Sequence, residues 1–423
     1  MFKFGNNVYE FSINSLQMDF TAYYTAGKTV SAGLSPYKNC ILEDWNLWDG
    51  FAQYQHSRFL YPPLLAKIFQ PISTLPYYTA KSLWNTINVI ILIINLFLLI
   101  ITFKTNKLWQ ILIILIAVLN FFPLTALLER GQIANLALLF ILLAVYFDVN
   151  KRFFLTAGFL LGIASLFKLY LILIIPFIIL KKKWRLLIGY SVSLVLLFLL
   201  TLLLVGQNIT YDYITTQAPR IASFGSSGTQ EMLIPVWILV NYFPMTPISV
   251  SLMDGRMYLS ESISFNSKAS LVKVIDNITN TLGVAINPGF TSIIVYIIFF
   301  LALYYITIRR DLIIKSDIVL PEFFYWQVSL LIILLSSPYT WIMNLFWLFP
   351  SLFFILCLWE KRDNKLIRLP LSILTIGYIL LSIPDSFFLF RNVFILNHII
   401  QARFIIAEFI LLLGFVFLYR KKS

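Results

Sequence analysis

Residues 155–180 have the sequence LTAGFLLGIASLFKLYLILIIPFIIL, which is apolar throughout except at Lys168-Leu169-Tyr170 near its middle. A single spanning helix would place the basic cluster 181–185 (KKKWR) on the opposite side of a membrane from Lys151-Arg152. A short hairpin would return both clusters to one side. We expect the hairpin, because basic residues beside spanning helices gather on one face of a membrane protein.

The composition is that of a membrane protein with many crossings. Of the 423 residues, 60% are apolar and only 12% are charged, whereas a soluble domain has about 25% charged residues. The net charge is +13, but much of it lies in short clusters between apolar runs. This pattern signals membrane orientation, and we expect no nucleic-acid partner. Two distant cysteines and two histidines make neither a disulfide framework nor a zinc site.

Other apolar runs are long enough to cross a membrane, which takes about 17–25 residues. They lie at 84–103, 108–128, 133–149, 184–206, 291–308, 320–336, 341–359, 368–384 and 402–419. With the hairpin as two passes, we predict an all-α polytopic membrane protein of about 11–12 transmembrane helices. Its basic clusters then share one face, which the positive-inside rule makes cytoplasmic. They are at 104–107, 151–152, 181–185, 309–315, 361–368 and 420–422.

The predicted outer face collects the segments that suggest chemistry. We expect one membrane domain, residues 1–423, in four parts: a first extracytoplasmic loop (1–81), an N-terminal helical module (82–206), a second extracytoplasmic loop (207–290) and the C-terminal helices (291–423). Short apolar pieces of the second loop, such as Leu233–Tyr242, suggest interfacial or re-entrant helices. Residues 1–18 contain neither a signal peptide nor a spanning helix, so an outer first loop needs either a helix upstream of residue 1, which we expect, or an N-terminus that translocates unaided.

The first loop is polar, aromatic and built around Asp19. Its main stretches are MDFTAYYTAG (18–27), GLSPY (33–37) and FLYPPL (59–64). A carboxylate among tyrosines, flanked by Gly and Pro turns, is typical of a functional surface loop. Asp19 followed by Phe20-Thr21-Ala22-Tyr23 also suits a helix N-cap, and these residues alone leave both interpretations open.

Taken in order, these motifs resemble glycosyltransferase family 87. The matches are D-F-x-x-Y-Y-x-A from Asp19, G-x-x-P-Y from Gly33, Y-P-P from Tyr61 with Pro71 after it, R-G-Q from Arg130, A-G…G…K over 157–168 with the basic cluster after it, and S-P at 337–338 with Trp341. The chain departs from the family pattern at three positions. Asn135 is one place later than the usual Asn, Leu171 replaces a common Pro, and Ile342 replaces the His that often follows the Trp.

The resemblance implies a GT-C-type fold and an inverting membrane glycosyltransferase. Such an enzyme moves a sugar, mannose or a similar hexose, from a polyprenyl-phosphate donor to an extracytoplasmic lipid or glycan acceptor. It implies a plasma-membrane protein with its active site on the extracytoplasmic side and no cofactor or metal. The sequence has no Walker loop, dinucleotide fingerprint, zinc motif or Asp-x-Asp pair, which suits a lipid-phosphate donor.

Glycosyl transfer from a lipid phosphate needs a base for the acceptor hydroxyl and groups that stabilise the leaving phosphate. The resemblance makes Asp19 the catalytic base, and a lone carboxylate suits inversion. Lys168 and Arg130 are predicted to contact the donor phosphate. The alternatives are a snorkelling Lys168 and an Arg130 that pairs with Glu129 or a lipid headgroup.

Six further side chains are predicted to bind substrates. They are Gln132, Tyr23, Tyr24, Tyr61, Tyr170 and Trp341. Gln132 also suits a helix cap, and tyrosine is enriched at both interfaces of any membrane protein. Two other functions compete with the enzyme: a transporter or flippase of lipid-linked sugars, which would show repeat-related halves, and a non-catalytic membrane scaffold.

Overall fold

A computed structural model of the chain provides the structure. It describes residues 8–11, 17–37, 59–219, 229–233, 249–253, 256–262, 270–282, 284, 286–314, 319–338, 340–383 and 394–421.

The N-terminal half is a run of helices. They are α1 (Met18–Ser31), α2 (Pro63–Ser73), α3 (Tyr77–Phe103), α4 (Leu108–Asn120), α5 (Phe122–Arg130), α6 (Ala134–Val149), α7 (Phe154–Phe167), a 3₁₀ segment (Leu169–Ile174), α8 (Ile175–Leu180), α9 (Trp184–Leu204), α10 (Gln207–Asp212) and a π-helical turn (Tyr213–Gln217).

The second half adds short strands to further helices. Its elements are β1 (Thr229–Leu233), β2 (Ser249–Met253), β3 (Arg256–Ser262), α11 (Leu271–Thr281), α12 (Pro288–Arg309), β4 (Arg310–Leu312), α13 (Leu320–Ser336), a 3₁₀ segment (Ile342–Leu348), α14 (Ser351–Glu360), α15 (Lys365–Ser382), α16 (Phe394–Val416) and β5 (Tyr419–Lys421). The first three strands form an antiparallel sheet in the order β1-β3-β2, and β4 pairs antiparallel with β5. These strands are small additions to a helical bundle.

The bundle confirms the prediction of an all-α polytopic membrane protein. Among the described residues, five helices are long and apolar enough to cross a membrane, or six if the bent pair of α4 and α5 counts as one span. The five are Tyr77–Phe103, Trp184–Leu204, Gly289–Arg309, Ile342–Glu360 and Lys365–Ser382. Other predicted crossings correspond to shorter apolar helices, such as Ala134–Val149 and Leu320–Ser336. The total of 11–12 crossings and the four-part division remain predictions.

The run 108–128, predicted as one membrane crossing, is a bent pair of helices that together are long and apolar enough to cross. The chain bends by 50° between α4 and α5, with Phe121 in an extended conformation between them. Pro123 in the first turn of α5 explains the break. Proline has no N–H to donate to the preceding turn and is best accommodated at a helix start.

The predicted hairpin in residues 155–180 is confirmed. A Cβ at Gly158 would collide with the backbone of Leu186, and one at Gly162 would collide with Ser193. The contacts advance together along α7 and α9, so these two helices run parallel. The chain must therefore return between them, and it turns at Lys168, whose extended backbone ends α7.

The predicted gathering of the basic clusters at one end of the bundle also agrees with the contacts. Lys183, after the hairpin, donates to Asp148 at the end of α6 and to Glu322 at the start of α13. Lys107 pairs with Glu360. The β4–β5 ladder holds residues 310–312 against 419–421. We call the cluster of Asp148, Lys181, Lys183 and Glu322 the basic-end cluster.

The segment around Asp19, which the sequence places in the predicted first extracytoplasmic loop, is a helix. Helix α1 starts at Met18 and buries Phe20, Tyr23 and Tyr24. Phe20 stacks on Trp84 of α3 with ring centroids 6.2 Å apart. Since aromatic packing of this kind stabilises a short helix whose propensity is modest, tertiary contacts decide the conformation here.

The segment 207–290 contains strands that the sequence did not predict. It holds two short helical pieces at its start, α11 near its end and the β1–β3 sheet between. Of the predicted helix Leu233–Tyr242, Leu233 ends strand β1, and residues 234–242 lie outside the described residues. In the sheet, backbone groups pair between strands rather than along a helix.

Candidate functional site

Asp19 lies at the end of the bundle opposite the basic-end cluster and is held by two side chains. Arg130 donates from Nε to Asp19 Oδ2 and from Nη2 to Oδ1, both at 2.9 Å. Gln132 Nε2 donates to Oδ2, also at 2.9 Å. Asp19 is 9% exposed. The carboxylate therefore receives three hydrogen bonds, two of them from a bidentate guanidinium fork.

These contacts contradict the helix-cap interpretation of Asp19. The residue at the N-cap position of α1 is Gln17, and no side chain caps that helix. Asp19 lies in the first turn instead, where a negative charge is favourable beside the helix N-terminus. Arg130 does form an ion pair, as one alternative proposed, but its partner at hydrogen-bond distance is Asp19.

The Arg130-Gly131-Gln132 corner depends on its glycine. Gly131 ends α5 with φ of 65°, a conformation that glycine adopts without strain. A Cβ there would approach Gln17 Oε1 and Phe20 Cβ to 2.9 Å. Trp84 Nε1 donates to the Gly131 carbonyl at 2.7 Å. The corner thus fits closely against α1 and α3, and this fit brings Arg130 and Gln132 to Asp19.

Gln132 links Asp19 to two tyrosines. Its Oε1 accepts from Tyr23 Oη at 2.6 Å, from Tyr61 Oη at 3.1 Å and from the Ile133 N–H at 2.9 Å. Three donors on one oxygen fix the orientation of the amide, so that its NH₂ must point to Asp19. The geometry adds a role for Gln132 that the sequence did not predict, because its amide orients the Asp19 carboxylate.

Tyr23 and Tyr61 are neutral hydrogen-bonding groups. Their hydroxyls lie 2.9 Å apart. Burial raises the pKa of Tyr61, and the nearby Asp19 charge raises it further. Burial likewise raises the pKa of Tyr23, with Tyr61 and Asp19 adding to the effect. Both phenols therefore keep their protons at neutral pH.

Lys168 joins the same cluster from the tip of the hairpin. Its Nζ lies 3.5 Å from Tyr61 Oη and 5.3 Å from the centre of the Tyr61 ring. Lys168 is only 8% exposed, which disagrees with a snorkelling side chain. Among the described residues no carboxylate forms an ion pair with Lys168 at contact distance. A buried ammonium of this kind is unfavourable unless an anion accompanies it.

The three remaining predicted substrate-binding residues lie in different surroundings. Tyr24 packs in the core and donates from Oη to the Leu75 carbonyl at 2.7 Å. Tyr170, two residues after Lys168, has its ring 5.5 Å from that of Trp347. Trp341 immediately precedes the 3₁₀ segment of residues 342–348. Of the three, Tyr170 is near the Asp19 cluster.

Sequence reasoning missed residues that support the site from behind. Trp84 holds the Gly131 carbonyl, and Tyr37 Oη donates to the Tyr61 carbonyl at 2.6 Å. Tyr37 belongs to the G-x-x-P-Y motif, so this motif already indicated in the sequence that Tyr37 is near the site. A tryptophan near the start of an apolar run gave no such signal, because tryptophan is common at membrane interfaces. The described residues contain no His, Cys, Asp and Glu group suited to a metal.

Comparison with known proteins gives one match. A family model described as "Glycosyltransferase family 87" matches residues 59–242, a stretch that includes Tyr61, Arg130, Gln132 and Lys168. Asp19 precedes the matched stretch. No curated protein and no solved structure matches the chain. The match covers less than half of the chain, and it shows that residues 59–242 are similar to glycosyltransferase family 87.

Proposed function

We propose that this protein transfers a hexose, mannose or a close relative, from a polyprenyl-phosphate donor to a lipid or glycan acceptor, with inversion at the anomeric carbon. One observation carries the proposal. A buried carboxylate, Asp19, shares a hydrogen-bonded cluster with two cations, Arg130 and Lys168. The cluster thus combines a proton acceptor with groups that stabilise an anionic leaving group.

The chemistry follows from these positions. Asp19 takes the proton of the acceptor hydroxyl as its oxygen forms a bond to the anomeric carbon. The bond from that carbon to the phosphate oxygen breaks, and its electron pair leaves with the phosphate. Arg130 and Lys168 stabilise the negative charge that develops there. Asp19 is the buried carboxylate in the described cluster, and a single carboxylate suits inversion in one displacement.

The placement of the cluster supports a membrane-bound donor. Helices α3, α6 and α7 each extend between the Asp19 side of the bundle and the side with the basic clusters. If the basic side is cytoplasmic, as the positive-inside rule expects, the Asp19 cluster faces the extracytoplasmic side. We propose that the polyprenyl chain stays in the bilayer of the plasma membrane while its phosphate reaches Lys168 at the hairpin tip.

The donor class is tested with the purified full-length protein. Lipids that co-purify with it should include polyprenyl-phosphate hexose, identified by mass spectrometry. Proteoliposomes supplied with polyprenyl-phosphate mannose and a mixed glycolipid extract should then form a mannosylated product. A panel of polyprenyl-phosphate hexoses that yields no transfer, in vesicles where a known transferase of this donor class works, would overturn the proposal.

A further inference from the structure

Arg130 covers the carboxylate that the proposed reaction needs. It bonds to both oxygens of Asp19, while Gln132 holds Oδ2 alone. The Arg130 side chain is 33% exposed and that of Asp19 is 12% exposed. The guanidinium is thus the more exposed partner of this ion pair.

The two partners of Asp19 differ in how firmly they are held. The Gln132 amide is fixed by Tyr23, Tyr61 and the Ile133 N–H. Among the described residues, Arg130 uses two of its five N–H donors, both on Asp19. Movement of Arg130 therefore breaks bonds to Asp19 alone, whereas movement of Gln132 would leave three donors without an acceptor.

Negative charge moves from Asp19 to the phosphate during the proposed reaction. Asp19 becomes neutral when it takes the acceptor proton. The phosphate, a singly charged diester in the donor, leaves as a monoester with additional charge. The total charge is conserved, but the negative charge that Arg130 can stabilise moves from the carboxylate to the phosphate.

We propose that Arg130 exchanges partners on donor binding. Without donor it covers Asp19; with donor it binds the lipid phosphate and exposes Oδ1, while Gln132 keeps Oδ2 in place. The acceptor hydroxyl can then reach Oδ1 only after the phosphate has arrived, which imposes donor before acceptor and suppresses loss of the sugar to other hydroxyls. The inference rests on the proposed function, since it assumes a lipid-phosphate donor.

The test is the affinity for polyprenyl monophosphate, the product lipid, in detergent micelles. The wild-type protein, Asp19→Asn, Arg130→Met and the double variant are compared. Asp19→Asn releases Arg130 and should bind the lipid roughly fivefold tighter than wild type, the scale of one partly exposed ion pair. Arg130→Met should bind it roughly tenfold or more weakly.

The double variant separates exchange from simple charge removal. If Asp19 acts through Arg130, Asp19→Asn should give no gain in affinity in the Arg130→Met background. An equal gain in both backgrounds, or no gain in either, would overturn the exchange. Glu129→Gln is the matched control, because it removes an exposed charge beside Arg130 without releasing it, and it should leave the affinity unchanged.

Failure of the exchange and failure of the proposed function give different results. If Asp19→Asn abolishes transfer but binds the lipid like wild type, the base assignment stands and the exchange is wrong. If none of the four proteins binds polyprenyl phosphate while all show a normal thermal unfolding transition, the donor class itself is wrong and the exchange with it.

Discussion

The two ends of the bundle each hold a partly buried cluster of acids and cations, and the two clusters differ in their charge balance. In the basic-end cluster, Lys183 bridges Asp148 at 2.5 Å and Glu322 at 2.6 Å, and Lys181 lies 3.8 Å from Glu322. Two carboxylates thus meet two ammonium groups. In the Asp19 cluster, Arg130 satisfies Asp19, and Lys168 has no carboxylate at contact distance among the described residues.

This difference suggests different roles. A neutral cluster of ion pairs is complete within the protein and fastens α6, the hairpin and α13 together. A cluster with one surplus cation is complete only with an anion present, since an isolated buried charge is costly. The contrast predicts that substitutions at the basic end change stability, and that substitutions at the Asp19 end change catalysis and donor binding.

The largest expected effect is that of Asp19→Asn on transfer. Asparagine keeps the size of the side chain, but it cannot take the proton of the acceptor hydroxyl. We expect the rate of transfer to fall by about 10²–10⁴-fold, the contribution of a positioned general base. Sugar transfer in proteoliposomes measures it, with the thermal unfolding transition as a check on folding. Near wild-type transfer would exclude Asp19 as the base.

Lys183→Met tests the basic end. The substitution leaves Asp148, whose side chain is fully buried, and Glu322 without their shared cation. Loss of one partner from a buried pair costs about 3–5 kcal/mol of unfolding free energy. Chemical denaturation in detergent should show this loss, while transfer per folded molecule stays close to wild type.

Lys182→Met is the matched control for this experiment. Lys182 is the exposed neighbour of Lys183, and its replacement should change the unfolding free energy by less than about 0.5 kcal/mol. Equal destabilisation by the two variants would show that the ion pairs of Lys183 do not fasten the basic end.

Gln132→Leu should reduce transfer less than Asp19→Asn does. It should slow the chemical step more than it weakens donor binding. It removes the acceptor of Tyr23, Tyr61 and the Ile133 N–H, which costs about 1–3 kcal/mol of stability. It also frees Asp19 to rotate, so kcat should fall while the donor KM changes little. Tyr24→Phe is the control, because it removes a buried hydrogen bond to Leu75 away from Asp19. A similar fall in kcat for Tyr24→Phe would assign the effect to general loosening.

Some of these features were predictable from the sequence because their signals are local. Lys168 interrupts an apolar run, and the basic clusters on both sides of that run specify a hairpin through charge alone. The ion pair of Asp19 with Arg130 was not predictable, since 111 residues separate the two and only tertiary packing joins them. The family resemblance named both residues but assigned Arg130 to the phosphate, not to the carboxylate.

The conformation of two segments was also beyond the sequence signals. The residues of α1 carry Gly and several aromatic side chains that suit a loop, and packing against Trp84 makes them helical. The continuous apolar run at 108–128 concealed a 50° bend, although Pro123 marks its position in the sequence. Burial of aromatic surface overrides propensity in the first case, and proline overrides hydrophobicity in the second.

The central claim is that the surplus cation at the Asp19 end is an anion site and that the cations at the basic end are not. Binding of polyprenyl monophosphate to Lys168→Met and Lys181→Met, each compared with wild type in the same micelles, tests it most directly. We expect Lys168→Met to weaken binding by about 10–100-fold, the loss of one charge-assisted contact to a buried anion, and Lys181→Met to bind like wild type. Unchanged binding in Lys168→Met, or an equal loss in both variants, would contradict the claim.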